Sequence, residues 1–384
     1  MQWPQAVYVH VPFCLRRCGY CDFTLVARRD KLIPAWLDGM RRELQQHREL
    51  VGRKLPISTL FLGGGTPTHL QVEQLQELLL LLREHFHWTA DAEVSIEANP
   101  DGLDDHRLDV LAELGVNRIS LGVQSFDDAV LNVLERTHTA AIASDAIRRA
   151  AQRFPNISLD LIFGVPGQNA ESWYGTLQQA AGFPLTHIST YGLTLEQGTS
   201  FHRRERRGEL HRAAEELERE MYLSGIEFLQ QHGFEHYEVS NFARDSFRCR
   251  HNLVYWNADE YFAFGPGAAS YIHGVRRTNC RSVVRWLKSW GDGVPCVEDT
   301  EQLDAAQRAC EAMMLGLRLR RGFSSADIES RFEINLHELA GATLVRLTRS
   351  GLLEQQGSQI RLTREGLLLA DTVASELLNP EAGD

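Results

Sequence analysis

Short apolar, β-branched runs punctuate the first half of the chain: VYVHV (7–11), TLFLGG (59–64), EVSIEAN (93–99), RISLGVQ (118–124), LDLIFGVP (159–166) and HISTYGLT (187–194). Between them the apolar positions shift to helical spacing, as in QVEQLQELLLLLREHF (71–86) and DDHRLDVLAELG (104–115). Strands alternating with helices predict βα units and a parallel sheet, because parallel neighbours need a crossover that a helix supplies. About six repeats give an α/β fold, either a partial (βα)6 barrel short of the eight units of a full one, or a doubly wound open sheet. Periodicity alone is the same for both.

The pattern changes after about residue 235. HYEVSNFA (236–243) reads as one more strand, followed by an aromatic and glycine-rich stretch at 251–271. From about 300 the chain is helical. LHELAGATLVRLTRSGLL (336–353) precedes EQQGSQIRLT, where Gly357 can turn a hairpin, and REGLLLADTVASELL (364–378) reads as a last helix. Three parts follow: 1–235, a covering segment 236–299, and a small helical, winged-helix-like domain 300–384. The tail NPEAGD (379–384) is expected to fray.

The balance of charge bears on that last domain. The chain of 384 residues carries a net charge of −11, and the candidate recognition helix offers only Arg346 and Arg349 as strong bases. A packing domain is therefore preferred to a DNA reader, and no nucleic-acid partner is expected. No apolar run is long enough to span a bilayer, and the first residues lack the basic start and small-residue cleavage site of a signal peptide, so a cytoplasmic location is expected. Seven cysteines without a secretory signal argue against a disulfide framework and for metal or redox use. Cys249, Cys280, Cys296 and Cys310 are scattered, and each is expected to be a small buried hydrophobe.

The other three cysteines are Cys14, Cys18 and Cys21 in HVPFCLRRCGYCDF, directly after the first strand. In parallel α/β folds that edge is where chemistry collects. Three thiolates on one loop can hold one soft, thiophilic centre. On an iron–sulfur cube they leave one iron open to an outside ligand. A zinc knuckle that borrows His10 or a distant cysteine is the alternative, and a set of inert buried thiols a weaker one, since Arg16, Arg17 and Asp22 make the loop polar. The second strand ends in Gly63, Gly64, Gly65 and Thr66, which could let backbone amides approach a ligand or could be a plain turn. Polar residues stand at the other strand ends: Glu97 and Asn99, then Gln124, then Asp160 inside an apolar run, with Arg136 in the loop beyond the fourth strand. Together they describe a ligand pocket.

C-x-x-x-C-x-x-C after the first strand and GGGTP after the second resemble the radical S-adenosylmethionine superfamily. Within it, YVHVPFC, GGGTPT, EANP, LGVQSF, LIFGVPGQ and MMLGLRLRRG (313–322) resemble the group of oxygen-independent coproporphyrinogen III dehydrogenases and the heme-chaperone family HemW, over nearly the whole chain. The resemblance implies a partial (βα)6 barrel and a [4Fe–4S] cluster on Cys14, Cys18 and Cys21. Its open iron binds S-adenosylmethionine, whose sulfonium breaks to a deoxyadenosyl radical after one-electron reduction. It further implies that Tyr8 and Tyr20 lie against the cofactor, that Gly64, Gly65 and Thr66 line its methionyl end, and that Glu97 takes its polar hydrogens. Gln124, Arg136 and Asp160 match positions that contact a second S-adenosylmethionine in the dehydrogenase.

Three departures point to the chaperone branch. Phe23 stands where the dehydrogenase has a further cysteine. The cluster loop begins at Cys14, without the dehydrogenase's long leading extension. HNLVYW (251–256) resembles the H-N-x-x-Y-W motif of the chaperones. The implied task is to hold heme as cargo and pass it to apo-hemoprotein acceptors, respiratory enzymes among them, with peripheral membrane contact through those acceptors and a homodimer as further expectations. His251 is the candidate heme ligand, a tyrosine the alternative. The rival reading is the dehydrogenase itself, which decarboxylates propionates oxidatively. An RNA-modifying radical enzyme and a zinc-stabilised winged-helix regulator are less favoured.

Overall fold

The computed structural model describes residues 3–380. The last four residues of the tail expected to fray, 381–384, lie outside the described residues. One large sheet organises the chain: β1 (Ala6–Val11), β2 (Leu55–Gly64), β3 (Phe86–Ala98), β4 (Arg118–Gln124), β5 (Asn156–Phe163) and β6 (His187–Gly192) lie side by side in chain order, all parallel. Beyond β6 comes β7 (Asn241–Ala243), antiparallel, and beyond β1 comes β8 (Phe262–Phe264), parallel. Sequential order without a reversal is the signature of a singly wound barrel wall, and it excludes the doubly wound sheet, whose strand order reverses at a switch point. The two outer edges of the sheet are not paired with each other, so the barrel is partial.

Each strand is two-faced. Val7, Val9 and Val11, Leu60 and Leu62, Val94 and Ile96, Ile119 and Leu121, Leu159 and Leu161, and Ile188 are buried in the aliphatic layer shared with the crossover helices. Their alternates, including Tyr8, Glu97, Ser120, Asp160, Ser189 and Tyr191, line cavities inside the barrel. Side chains of a strand alternate at period two, so one strand supplies both layers. A barrel this small is usually filled by apolar side chains; here polar ones leave room.

The second half differs from the sequence reading in four places. HYEVSNFA is not one strand but a tight antiparallel pair, Glu235–His236 with β7. The aromatic stretch contains β8, which extends the barrel past β1, and a short helix, Arg250–Trp256. The last helix is broken at Leu369 into Arg364–Leu368 and Ala370–Glu376. The hairpin stands where expected: Leu353–Gln356 pairs with Gln359–Leu362 around Gly357, whose φ of 62° suits the residue without a Cβ. With Phe323–Ser324 and the helices Ser325–Phe332 and Leu336–Arg349 it forms a winged-helix arrangement around its own apolar core. Cys280 and Cys296 are buried as expected but are not free thiols: they sit across from each other and form a disulfide. Cys249 and Cys310 are buried and free.

Candidate cofactor-binding site

The thiol loop leaves the end of β1 and is tied at its base, where Phe13–Cys14 pairs in parallel with Val26–Ala27. The glycine loop that ends β2 runs beneath it. Gly65 N donates to Val11 O and Thr66 N to Phe13 O, both at 2.8 Å, while Gly64 N donates to Glu97 Oε2 at 3.0 Å. These amides are therefore spent on holding the loops together, not offered to a ligand. The glycines serve close approach instead: a Cβ on Gly64 (φ +110°) would stand 2.5 Å from the His10 ring, and one on Gly65 2.7 Å from Phe13 O.

A polar chain joins two of the thiols. Asn99 Nδ2 donates to Thr66 Oγ1 (3.0 Å), which leaves the threonine hydroxyl free to donate to Cys14 Sγ (3.3 Å). Arg136 donates to Asn99 Oδ1 (2.6 Å) and Gly122 O (2.9 Å), and its other terminal nitrogen reaches Cys18 Sγ at 3.6 Å. Burial pushes the Cys14 thiol up to about 11, and raises Cys21. Tyr20 is likewise raised by burial, against the pull of Arg136.

All three cysteines line a cavity of about 400 Å³, with Tyr20, Gly64, Gly65, Thr66, Glu97, Gln124, Arg136 and Asp160. Inside it Glu97 is pushed up to about 8, first by burial and then by the Asp160 carboxylate. Burial also raises Asp160, opposed by hydrogen bonds from Ser189 and Ser120 and by the Arg118 charge. Gln124 holds a left-handed φ of 69°, where the register between β4 and β5 slips by a residue. Such a conformation costs about 1–3 kcal/mol in a residue with a side chain and collects at ligand clamps.

A smaller chamber of about 230 Å³ continues into the barrel and shares Phe23, Gly64, Glu97, Ser120, Asp160 and Tyr191 with the first. Tyr8 lines this inner chamber and not the outer cavity. Its hydroxyl donates to His10 Nδ1 (3.0 Å), because His10 Nε2 must donate to Thr24 O (2.6 Å). The Arg250–Trp256 helix closes the chamber. Buried Glu93 accepts from the amides of Arg250 (3.0 Å) and His251 (3.1 Å) and so pins the first turn. His251 has 1% of its surface exposed, with Nδ1 at 3.0 Å from Thr59 Oγ1 and Nε2 at 2.9 Å from Tyr255 OH. Neither nitrogen is free to take an axial iron bond in this arrangement, and burial lowers the ring to about 3.

Residues 8–180 match the Radical SAM superfamily, and residues 303–369 match the HemN C-terminal domain. The chain is 35% identical over 381 residues to "Heme chaperone HemW" of Lactococcus lactis, covering 98% of both chains. It is 38% identical over 385 residues to the protein of that name in Mycobacterium tuberculosis, covering 98% of this chain and 95% of that one. The chain belongs to the HemW family. The cow protein "Radical S-adenosyl methionine domain-containing protein 1, mitochondrial" is also similar, at 34% identity over 97% of this chain and 87% of its own. Among solved structures, coproporphyrinogen III oxidase (HemN) from Escherichia coli superposes with a TM-score of 0.85 at 24% identity, covering 98% of this chain and 90% of that one; this is a likeness of fold.

In this HemW-family chain the three cysteines, Tyr20, Gly64, Gly65, Thr66, Glu97, Asn99, Gln124, Arg136 and Asp160 line the outer of two joined chambers and Tyr8 and His251 line the inner, whereas Gly63 and His10 line neither. The donor set fits a cluster. Zinc draws four donors onto one ion, whereas an iron–sulfur cube spreads its ligands over separate irons. His10, the proposed fourth zinc ligand, has both nitrogens engaged, and Cys249 lies beside Glu93 beneath the barrel. Asn99, read from the sequence as one of the polar strand-end residues, is the link in the polar chain between Thr66 and Arg136. Arg118, Ser120 and Tyr191 were legible only as alternates of apolar strand residues.

Proposed function

We propose that this protein binds heme and hands it to apo-hemoprotein acceptors, with a [4Fe–4S] cluster held by Cys14, Cys18 and Cys21 and S-adenosylmethionine in the adjoining cavity. The observation that carries the reading is the lining of that cavity: Leu15 and Phe23 are 51% and 60% exposed, yet both line a chamber that is otherwise rich in polar groups. Large apolar side chains held in solvent at a pocket favour a flat apolar ligand resting on them. The names of relatives matching end to end support the same reading.

When bound, the reduced cluster supplies one electron to the sulfonium. The chain's own residues bind and orient. Gly64, Gly65 and Thr66 line one wall of the cavity, suited to the methionyl end. Burial favours the protonated form of Glu97; an incoming ammonium group would displace that proton and pair with the carboxylate. Asn99 and Arg136 hold the thiol loop against that wall, and Tyr20, Gln124 and Asp160 offer the remaining polar contacts. Tyr8 meets the ligand from the inner chamber. His251 ligates iron only if its bond to Tyr255 opens. Respiratory hemoproteins are the candidate acceptors, with peripheral membrane contact arising through them. A cytoplasmic location and a homodimer belong to the same proposal; no helix among the described residues is long and apolar enough to cross a membrane.

The second reading, oxygen-independent coproporphyrinogen III dehydrogenase, is favoured by the likeness of fold alone. One anaerobic assay separates the two. Reconstituted protein is given reductant, S-adenosylmethionine and coproporphyrinogen III, and protoporphyrinogen is sought by chromatography. We expect no porphyrin product from protein with an intact cluster, and a stable heme complex on titration. Multiple turnovers would assign the dehydrogenase.

A further inference from the structure

The inner chamber holds a cation that none of the cofactor contacts above uses. Arg118 is the first residue of β4 and shares its inward face with Ser120. It lines the chamber of about 230 Å³ with only 2% of its surface exposed. Among the described residues its guanidinium makes no hydrogen bond and no ion pair, and its Nε is buried without a partner. The carboxyl groups around it are engaged elsewhere. Glu93 accepts from the amides of Arg250 and His251 and from the Cys249 thiol, Asp160 from Ser120, and Glu97 from Gly64 N. A guanidinium carries five N–H donors in a planar fork, and a buried one without acceptors is unfavourable. A second donor lines the same chamber. Asn252 stands in the first turn of the Arg250–Trp256 helix, and among the described residues its side-chain amide makes no hydrogen bond.

We propose that the inner chamber is a binding subsite for a carboxylate group, with Arg118 as its cationic anchor and Asn252 as a second donor. The two oxygens of a carboxylate match the guanidinium fork with two parallel N–H···O bonds. Burial raises both Glu97 and Asp160 and so favours their neutral forms, which repel an incoming anion less than two carboxylates would. The chamber opens into the outer cavity, with which it shares Phe23, Gly64 and Tyr191. A carboxylate reaches Arg118 by one of two routes: as the acidic side arm of a flat ligand resting on Phe23, which lines both chambers, or as a free small organic acid. The first route rests on the heme reading above; the subsite itself does not. The whole chain carries −11, so a preference for an acidic ligand over its neutral ester needs a local cation.

The test has two arms, both on the full chain with its cluster reconstituted. In the first, heme and heme dimethyl ester, whose propionates are blocked, are titrated by the Soret band. Wild type should bind heme about tenfold tighter than the ester. Arg118→Gln should erase that preference by weakening heme about tenfold while the ester stays within about twofold; a merely structural role would weaken both probes alike. In the second arm, sodium propionate is compared with neutral propionamide at constant ionic strength. Propionate alone should raise the unfolding temperature of wild type, and neither should raise that of Arg118→Gln. Asn252→Asp, which sets a negative charge in the chamber from its less buried side, should lose both effects, and it supplies the comparison if Arg118→Gln does not fold. Discrimination against the ester assigns the carboxylate to the side arm of bound heme. Stabilisation by propionate without that discrimination assigns a free small acid. A missing Soret complex would remove the heme reading and leave the propionate arm to decide the subsite. Absence of both effects in wild type, or effects of the same size in the variants, would overturn the proposal.

Discussion

At the scale of single residues, the cysteines and Glu97 carry the sharpest consequences. The thiol loop is peripheral to the sheet, joined to the rest by backbone pairing at its base and by the chain from Thr66 to Arg136. Cys18→Ala should therefore abolish the cluster and leave the barrel folded: iron and sulfide content falls to background while the far-ultraviolet circular dichroism is unchanged. Full cluster content in that variant would refute the ligand assignment. Glu97 makes a prediction of a different kind. Its carboxyl titrates near its ordinary 4.5 in the unfolded chain and at about 8 in the fold. Between those values the folded chain holds a proton that the unfolded chain releases, so stability falls as pH rises. Wild type should lose stability relative to Glu97→Gln from pH 5 to pH 8 in urea denaturation of the cofactor-free protein. A difference that does not vary with pH would show that Glu97 is ionised in the fold.

At the scale of elements, the Arg250–Trp256 helix decides what the H-N-x-x-Y-W motif can do. Glu93 fixes its first turn, and Thr59 and Tyr255 take both nitrogens of His251. The helix acts as a floor to the inner chamber before it acts as a ligand. His251→Ala should destabilise the protein by about 1–3 kcal/mol, because Thr59 and Tyr255 lose their buried partner, yet keep the Soret band of bound heme. Loss of the Soret shift with the fold intact would return His251 to the coordination sphere. Motif reading could not see this arrangement. The letters HNLVYW name iron-binding and ring-stacking chemistry, while Glu93, which sets the helix in place, lies 157 residues earlier than Arg250. The strands were more legible. Their apolar content announced parallel βα units, and the ligand residues at their ends announced a pocket. The hidden part was the alternation: Ser95, Ser120 and Ser158 look like interruptions of buried runs until the sheet curves and gives them an inside. The break at Leu369 and the split of 236–243 were hidden for a simpler reason, since neither carries a glycine or proline to mark it.

At the scale of the whole molecule, two apolar cores are joined by main-chain hydrogen bonds. Val239 N donates to Arg318 O (2.9 Å) and Arg320 N to Tyr237 O (3.0 Å), and Arg331 reaches the carbonyls of Asn257 and Ala258 at the end of the floor helix. Backbone pairing of this sort couples the parts more firmly than an interface of side chains alone. Calorimetry should show one unfolding transition; two resolved transitions would mean that the barrel and the C-terminal part melt independently.

The two-faced strands have one more effect, on how this sequence can change. The aliphatic layer and the ligand chambers are written in alternate letters of the same few segments. Replacing an inward residue, Ser120 or Ser189 for instance, alters what the chambers accept and leaves the outer packing alone. Deleting a single residue from β4 or β5 would turn valine and leucine into the cavity and drive carboxylate into oil. New ligands are thus within reach of point substitution, whereas changes of length must be confined to the loops.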